Sequence, residues 1–342
     1  MTEKPMTSPQ LPWKTKISIT LLSAVTDATR RRDGTVNRFL FSFFDSRAAA
    51  NPEPLHGVKT ADFTVDASRN LWFRLFYPTD DDIPDDIPVI VFFHGGGFAF
   101  LSPDAKAYDF VCRRIAHKIP AAVVSVNYRL APEHKCPAAY EDGFDVLRWL
   151  DGRPKQFSDF APNADVSRMF LMGDSAGGNL AHHVAERISA NPTSDLQKVR
   201  VIGLVSVQPF FGGEERTPAE DRLVRAPLVS VERADWMWKS FLPEGSDRDH
   251  EAVNVFGPRC RAVITERYPA TLVFVGGFDP LQDWQKRYYE GLKARGREAY
   301  LVEYPDAVHA FYIFPELPQA GMLLTETRDF VLKQCGKVSE IK

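Results

Sequence analysis

The sequence predicts an α/β fold, with a mostly parallel central sheet and helices on both faces. Three observations carry that expectation. From residue 88 onward, short β-rich apolar runs alternate with helix-like stretches, the pattern of parallel strands joined by crossover helices. A Gly-Asp-Ser-Ala-Gly pentapeptide at 173–177 sits between one such run and one such helix. The chain has 342 residues, 44% of them hydrophobic, which is enough to bury a large core and excludes a disordered or low-complexity protein.

Taken in order, residues 14–29 space Ile17, Ile19, Leu21, Leu22 and Val25 as a helix does. Arg30-Arg31-Arg32 reads as the solvated end of that helix, and Asp33-Gly34 as the turn after it. Residues 62–78 read as an antiparallel hairpin around Ser68-Arg69-Asn70, and the acidic stretch 80–88 as an exposed loop with solvated carboxylates. The sheet runs follow at 88–93, 121–128, 168–173, 201–208, 271–276 and 298–304, with helices near 106–117, 139–151, 177–190, 282–295 and 322–334. The segment 209–268 interrupts this rhythm and contains one helix-like piece, 231–242. The expected organisation is one domain over 1–342: an N-terminal helical lid segment (1–60), a core (61–208 and 269–342), and a small cap insertion (209–268).

Composition removes several function classes. The formal net charge is −3, without the basic excess of a general nucleic-acid binder. Cys112, Cys136, Cys260 and Cys335 lie far apart with no C-x-x-C or Cys/His pairing, which argues against a disulfide framework and a metal site. The longest apolar runs are strand-sized, so no membrane span is expected. The opening MTEKPMTSPQ has no apolar signal segment, and Asn191-Pro192-Thr193 carries the proline that forbids glycosylation. The expected location is cytoplasmic, for a monomer or homodimer.

The chemistry is written in four places. Gly173-Asp174-Ser175-Ala176-Gly177, between strand and helix, has the form of a nucleophile elbow. It would project Ser175 at the carboxyl end of the sheet, with the Ala176 N–H at a helix start. His94-Gly95-Gly96-Gly97 follows the first sheet run, where glycines let backbone N–H groups face a developing oxyanion. His94 is expected to brace that loop. An acid and a base should follow the serine in that order. Asp279 ends one later run and His309 ends the next, so His309 is the candidate base and Asp279 its orienting acid, with Asp306 as a competing acid. His182 and His183 are adjacent and splay apart on a helix, a poor metal geometry, and His134 belongs to a turn. His56, His117 and His250 show no partner pattern. Four elements in this order and strand context point to an α/β-hydrolase fold.

HGGGF, VNYRLAPEH, PAAYEDG, GDSAGGN, GFDPL and HAF closely resemble plant carboxylesterases of the hormone-sensitive-lipase-like branch, over roughly residues 33–335. The resemblance implies a cofactor-free serine hydrolase acting on small carboxylic esters, from specialised metabolites, hormones or xenobiotics. Carried over, the nucleophile falls on Ser175, the acid on Asp279 and the base on His309. The oxyanion-hole amides fall on Gly96, Gly97 and Ala176, with Gly95 completing the turn. Gibberellin receptors of the same branch resemble this chain even at Arg32–Arg38, the junction of their lid, yet typically lack the histidine and carry HGGS; His309 and Gly97 depart from that pattern. The branch's hydroxyisoflavanone dehydratases use threonine where Gly95 stands. Other relatives apply the same triad to transesterification, elimination or cyclisation, and this is the alternative reading. Phe98, Phe210, Phe211, Trp236, Trp238, Phe278 and Phe311 are the candidate substrate-pocket residues, because they neighbour the motifs or lie in the expected cap.

Overall fold

In the computed structural model, which describes residues 8–80, 83–190, 196–261 and 263–340, the apolar runs form one eight-stranded sheet. Its strands are β1 (Val58–Asp66), β2 (Leu71–Pro78), β3 (Ile87–Phe93), β4 (Ala122–Asn127), β5 (Ala164–Asp174), β6 (Val201–Val207), β7 (Ala270–Phe278) and β8 (Ala299–Val308). They lie in the order β1-β2-β4-β3-β5-β6-β7-β8. The β1–β2 and β2–β4 pairs are antiparallel, and every pair from β4 through β3 to β8 is parallel.

The helices are α1 (Trp13–Thr29), α2 (Arg38–Ser42), α3 (Lys106–Lys118), α4 (Ala138–Asp151), α5 (Lys155–Phe160), α6 (Ala176–Ala190), α7 (Pro218–Arg222), α8 (Val231–Phe241), α9 (Gln282–Ala294) and α10 (Pro318–Glu340). Side chains alternate across a strand, so each central strand feeds two cores. Val89, Val91 and Phe93 pack with α4, α6 and α9, while Ile90 and Phe92 pack with α3 and α10. Burial on both faces is why these strands read as unbroken apolar runs. The sequence expectation of a mostly parallel sheet with helices on both faces holds.

The hairpin turns where expected. Asp66 caps a single 3₁₀ turn at Ala67–Arg69, and Asn70 adopts the left-handed conformation that closes it. Three short helices, α2, α5 and α7, were not expected, since five or six residues hold too few apolar positions to show a period. Residues 1–7, Asp81–Asp82 of the acidic loop, and the Asn191-Pro192-Thr193 site lie outside the described residues. Among those described, no helix is long and apolar enough to cross a membrane.

The parallel strands bring their carboxyl ends to one edge of the sheet. Phe93 is in register with Gly173 across β3 and β5, and Asp174 with Val207 across β5 and β6. Phe278 is in register with Val308 across β7 and β8, so the next residues, Asp279 and His309, emerge side by side. Above this edge lie α1, α2 and α8. The Trp236 indole N–H donates to Arg31 O at 2.6 Å and Ser240 Oγ to Gly34 O at 2.7 Å, joining α8 to the N-terminal segment.

Candidate active site

The elbow is fixed by backbone geometry. β5 ends at Asp174, α6 begins at Ala176, and Ser175 between them has φ +52°, a left-handed conformation that costs a non-glycine residue about 1–3 kcal/mol. Neighbouring hydrogen bonds hold it there: Ser175 N donates to Val207 O at 2.9 Å, while Ser175 O accepts from Phe210 N at 2.8 Å and Asn179 N at 3.1 Å. A Cβ at Gly177 would lie 1.8 Å from the Phe93 carbonyl oxygen, so only glycine lets α6 start this close to β3. Ser175 itself is only 7% exposed.

The acid and base form a tight pair, His309 Nδ1 to Asp279 Oδ2 at 2.7 Å. A carboxylate partner assigns the ring proton to Nδ1 and leaves Nε2 as the basic nitrogen. Asp279 is fully buried and accepts further hydrogen bonds from Gln285 Nε2 (2.8 Å) and Gln208 Nε2 (3.0 Å) on Oδ2, and from Leu281 N (2.9 Å) on Oδ1. Burial alone would pull the His309 pKa down. The Asp279 charge, its hydrogen bond, and the charge of Asp174 outweigh that and hold the imidazole above its ordinary range. Asp306, the competing acid, is exposed on β8 and makes no such contact.

The glycine loop divides its work. Gly95 N donates to Asp174 Oδ1 and to the Tyr108 hydroxyl, each at 2.8 Å, and Tyr108 in turn donates to Asp174 Oδ2 at 3.0 Å. The Gly95 amide is therefore engaged within the protein, so of the loop glycines Gly95 completes the turn and is not itself an oxyanion donor. The N–H groups of Gly96 and Gly97 make no hydrogen bond among the described residues, and Ala176 N lies in the unpaired first turn of α6. Gly97 has φ +61°, and a Cβ there would meet Met237 Sδ of α8 at 2.2 Å. Burial pushes the Asp174 pKa up to about 6. His94 donates from Nδ1 to Gly95 O (2.8 Å) and stacks on Tyr128 at 4.4 Å; burial holds its pKa down at about 4, so it braces the loop as a neutral ring.

The candidate pocket aromatics separate into groups. Phe98 stacks on Phe241 at 3.7 Å and Phe210 on Trp238 at 4.0 Å, a wall running from the glycine loop to the elbow. The other four do not join that wall. Phe278 and Phe311 belong to the core on the α3 and α10 face, with Phe311 against Tyr304 at 5.2 Å. Phe211 turns toward Tyr288 (4.6 Å) and His182 (5.7 Å) beneath α9. Trp236 ties the N-terminal segment to α8. Adjacency in sequence suggested them, but successive residues at a strand end or on a helix point in different directions. His182 is a buried structural residue, hydrogen-bonded through Nδ1 to the Tyr268 hydroxyl at 2.7 Å. Among the described residues, no group of three or more His, Cys, Asp or Glu side chains is placed to hold a metal ion.

Sequence reasoning passed over Gln208, Gln285, Tyr108 and Met237. Gln208 alone left a signal, a polar residue ending an apolar run between the elbow strand and the acid strand.

The family model described as the alpha/beta hydrolase fold matches residues 90–313. A gibberellin receptor of Arabidopsis thaliana is 40% identical over 341 residues, covering 95% of each chain. A carboxylesterase of the same plant, carboxylesterase 20, is 37% identical over 274 residues, covering 78% of this chain and 83% of its own. Among solved structures, a hyperthermophilic esterase from the archaeon Pyrobaculum calidifontis superimposes with a TM-score of 0.75 at 25% identity, covering 96% of this chain and 99% of its own. The chain belongs to the α/β-hydrolase family, in a branch shared by plant carboxylesterases and gibberellin receptors.

Proposed function

We propose that this α/β-hydrolase is a carboxylic ester hydrolase whose nucleophile is Ser175, whose general base is His309 and whose orienting acid is Asp279. The observation that carries the reading is the 2.7 Å His309–Asp279 pair, emerging from adjacent strands at the same sheet edge as the strained Ser175. A hormone-binding protein has no need of a buried, oriented imidazole whose Nε2 is left basic.

The reaction follows from these groups. Ser175 Oγ attacks the ester carbonyl carbon as its proton passes to His309 Nε2, and the carbonyl oxygen becomes an oxyanion received by the Gly96, Gly97 and Ala176 amides. Collapse breaks the bond to the alkoxy oxygen, which leaves as the alcohol after taking the proton from Nε2. A water then gives a proton to Nε2 and attacks the acyl-serine, releasing the acid and regenerating Ser175. Asp279 stabilises the imidazolium throughout. The Phe98–Phe241 and Phe210–Trp238 wall, with Met237 over Gly97, favours small esters. Carboxylesterase 20 supports the substrate class.

A second reading is supported by the gibberellin-receptor similarity, which extends over the N-terminal segment. Hydrolysis of p-nitrophenyl acetate and butyrate by wild type and Ser175→Ala separates the two. The expected outcome is turnover that falls about 10⁴–10⁶-fold in the variant. Fluorophosphonate labelling of Ser175 without turnover would point to transesterification, elimination or cyclisation by the same triad. Neither turnover nor labelling would favour ligand binding.

A further inference from the structure

Gln208 stands one residue beyond β6, between the elbow strand and the acid strand, and is almost completely buried. Its backbone is held on both sides: Gln208 N donates to Phe274 O of β7 at 2.9 Å, and the preceding Val207 O accepts from Ser175 N at 2.9 Å. Its φ is +44°, a conformation that a β-strand end does not adopt without cause. The side-chain amide then makes three contacts with the acid–base apparatus. Nε2 donates to Asp279 Oδ2 at 3.0 Å and to Val308 O at 3.2 Å, while Oε1 accepts from Ala310 N at 2.8 Å. Val308 and Ala310 flank His309, so a single amide grips both the carboxylate and the backbone on either side of the imidazole. The partners fix the amide's orientation, because a carboxylate and a carbonyl only accept and a backbone N–H only donates.

We propose that Gln208 is a positioning residue for the acid–base pair, locking the Asp279 carboxylate and the His309 loop into one rigid unit. The inference rests on the esterase reading above. Asp279 Oδ2 is shared among His309 Nδ1, Gln208 Nε2 and Gln285 Nε2. Withdrawing the Gln208 donor leaves that oxygen a stronger acceptor for the imidazole proton. The His309 loop also loses its brace at both flanking peptides. Asp279 and Asp174 are the charged groups that face His309. Removal of the donor therefore has two consequences, a less ordered base and an imidazolium that persists to higher pH.

The test uses Gln208→Leu and Gln208→Glu, both close to glutamine in size, in the full chain. The serine is titrated with fluorophosphonate, and kcat, KM and the pH profile of kcat/KM are measured on p-nitrophenyl butyrate. The expected result is a loss of about ten- to a hundredfold in kcat per titratable serine, KM within about threefold, and an acid limb displaced to higher pH. The displacement should be smaller in Gln208→Glu, where the new carboxyl lies against Asp279 Oδ2 and Val308 O, takes up a proton and can still donate to Asp279. Folded variants with unchanged kcat and an unmoved acid limb would overturn the proposal. Loss of fold in both would also overturn it, since the amide would then be holding the sheet. Failure of the esterase reading is distinct: the wild type itself would neither turn over the ester nor be titrated.

Discussion

Below Ser175, the Asp279 carboxylate is fully buried and accepts four hydrogen bonds from three side chains and one backbone amide. Above it, the ion pairs joining the N-terminal segment to α8 stand partly in water: Arg233–Asp27 at 2.6 Å with the carboxylate 41% exposed, and Arg30–Glu232 at 2.8 Å with the carboxylate 82% exposed. A buried charge whose partners are removed loses roughly 3–5 kcal/mol, whereas exposed pairs contribute about 0–1 kcal/mol each. The floor is therefore over-determined and the roof is held by many weak contacts plus aromatic packing. On the esterase reading, one region fixes atoms for proton transfer, while the other can alter which esters enter without disturbing the chemistry.

The sharpest challenge to that division is at their contact, where Gly97 of the floor meets Met237 of the roof. Gly97→Ser places a Cβ against Met237 Sδ in a left-handed backbone, so the oxyanion loop must move. The expected loss in kcat/KM is about 10²–10³, the scale of losing one oxyanion donor. Adding Met237→Ala should recover at least about tenfold of it by removing the obstruction. Steady-state kinetics of the pair checks this. A serine variant with near wild-type activity would mean that floor and roof are not mechanically joined there.

The next largest effect lies wholly in the floor. On the proposed mechanism His309 must be neutral to accept the serine proton, and its pKa is raised, so kcat/KM should fall as pH drops through a value above the ordinary histidine value of about 6.5. Asp174 contributes one of the charges responsible, and is itself ionised only above about 6. Asp174→Asn removes that charge while its amide oxygen remains able to accept from Gly95 N. The acid limb should move to lower pH. An unmoved limb in a pH–rate profile would show that Asp174 acts on the loop alone.

The smallest effect belongs to the roof. Asp27 accepts from Arg233, and that hydrogen bond, against a smaller burial penalty, holds its pKa low. A lowered carboxylate pKa contributes stability above the unfolded value, lost as pH falls through the folded one. Asp27→Asn should cost under about 1 kcal/mol, seen as a small drop in Tm at neutral pH that shrinks in 1 M salt. A drop comparable to that of a buried pair would erase the contrast between the regions.

Much of this was legible in the residues. The central strands are visible because burial on both faces makes them continuously apolar, and the elbow because Gly173 and Gly177 have no substitute in a turn this tight. Ser175, Asp279 and His309 were legible because each directly follows a strand, and strand ends in a parallel sheet converge. Gln208 follows a strand in the same way, yet a glutamine has no titratable signature to single it out.

The sequence by itself determined the order of elements, the strand ends and the candidate chemical groups, since local periodicity and turn chemistry are properties of neighbouring residues. Only the tertiary structure decided which acid holds His309, which of the three loop glycines pairs its amide with Asp174, and which aromatics stack into one wall. Those outcomes depend on the direction of side chains and amides at the ends of strands brought together from positions tens to hundreds of residues apart. A one-residue step reverses that direction, so the same motif letters are compatible with either face until packing selects one.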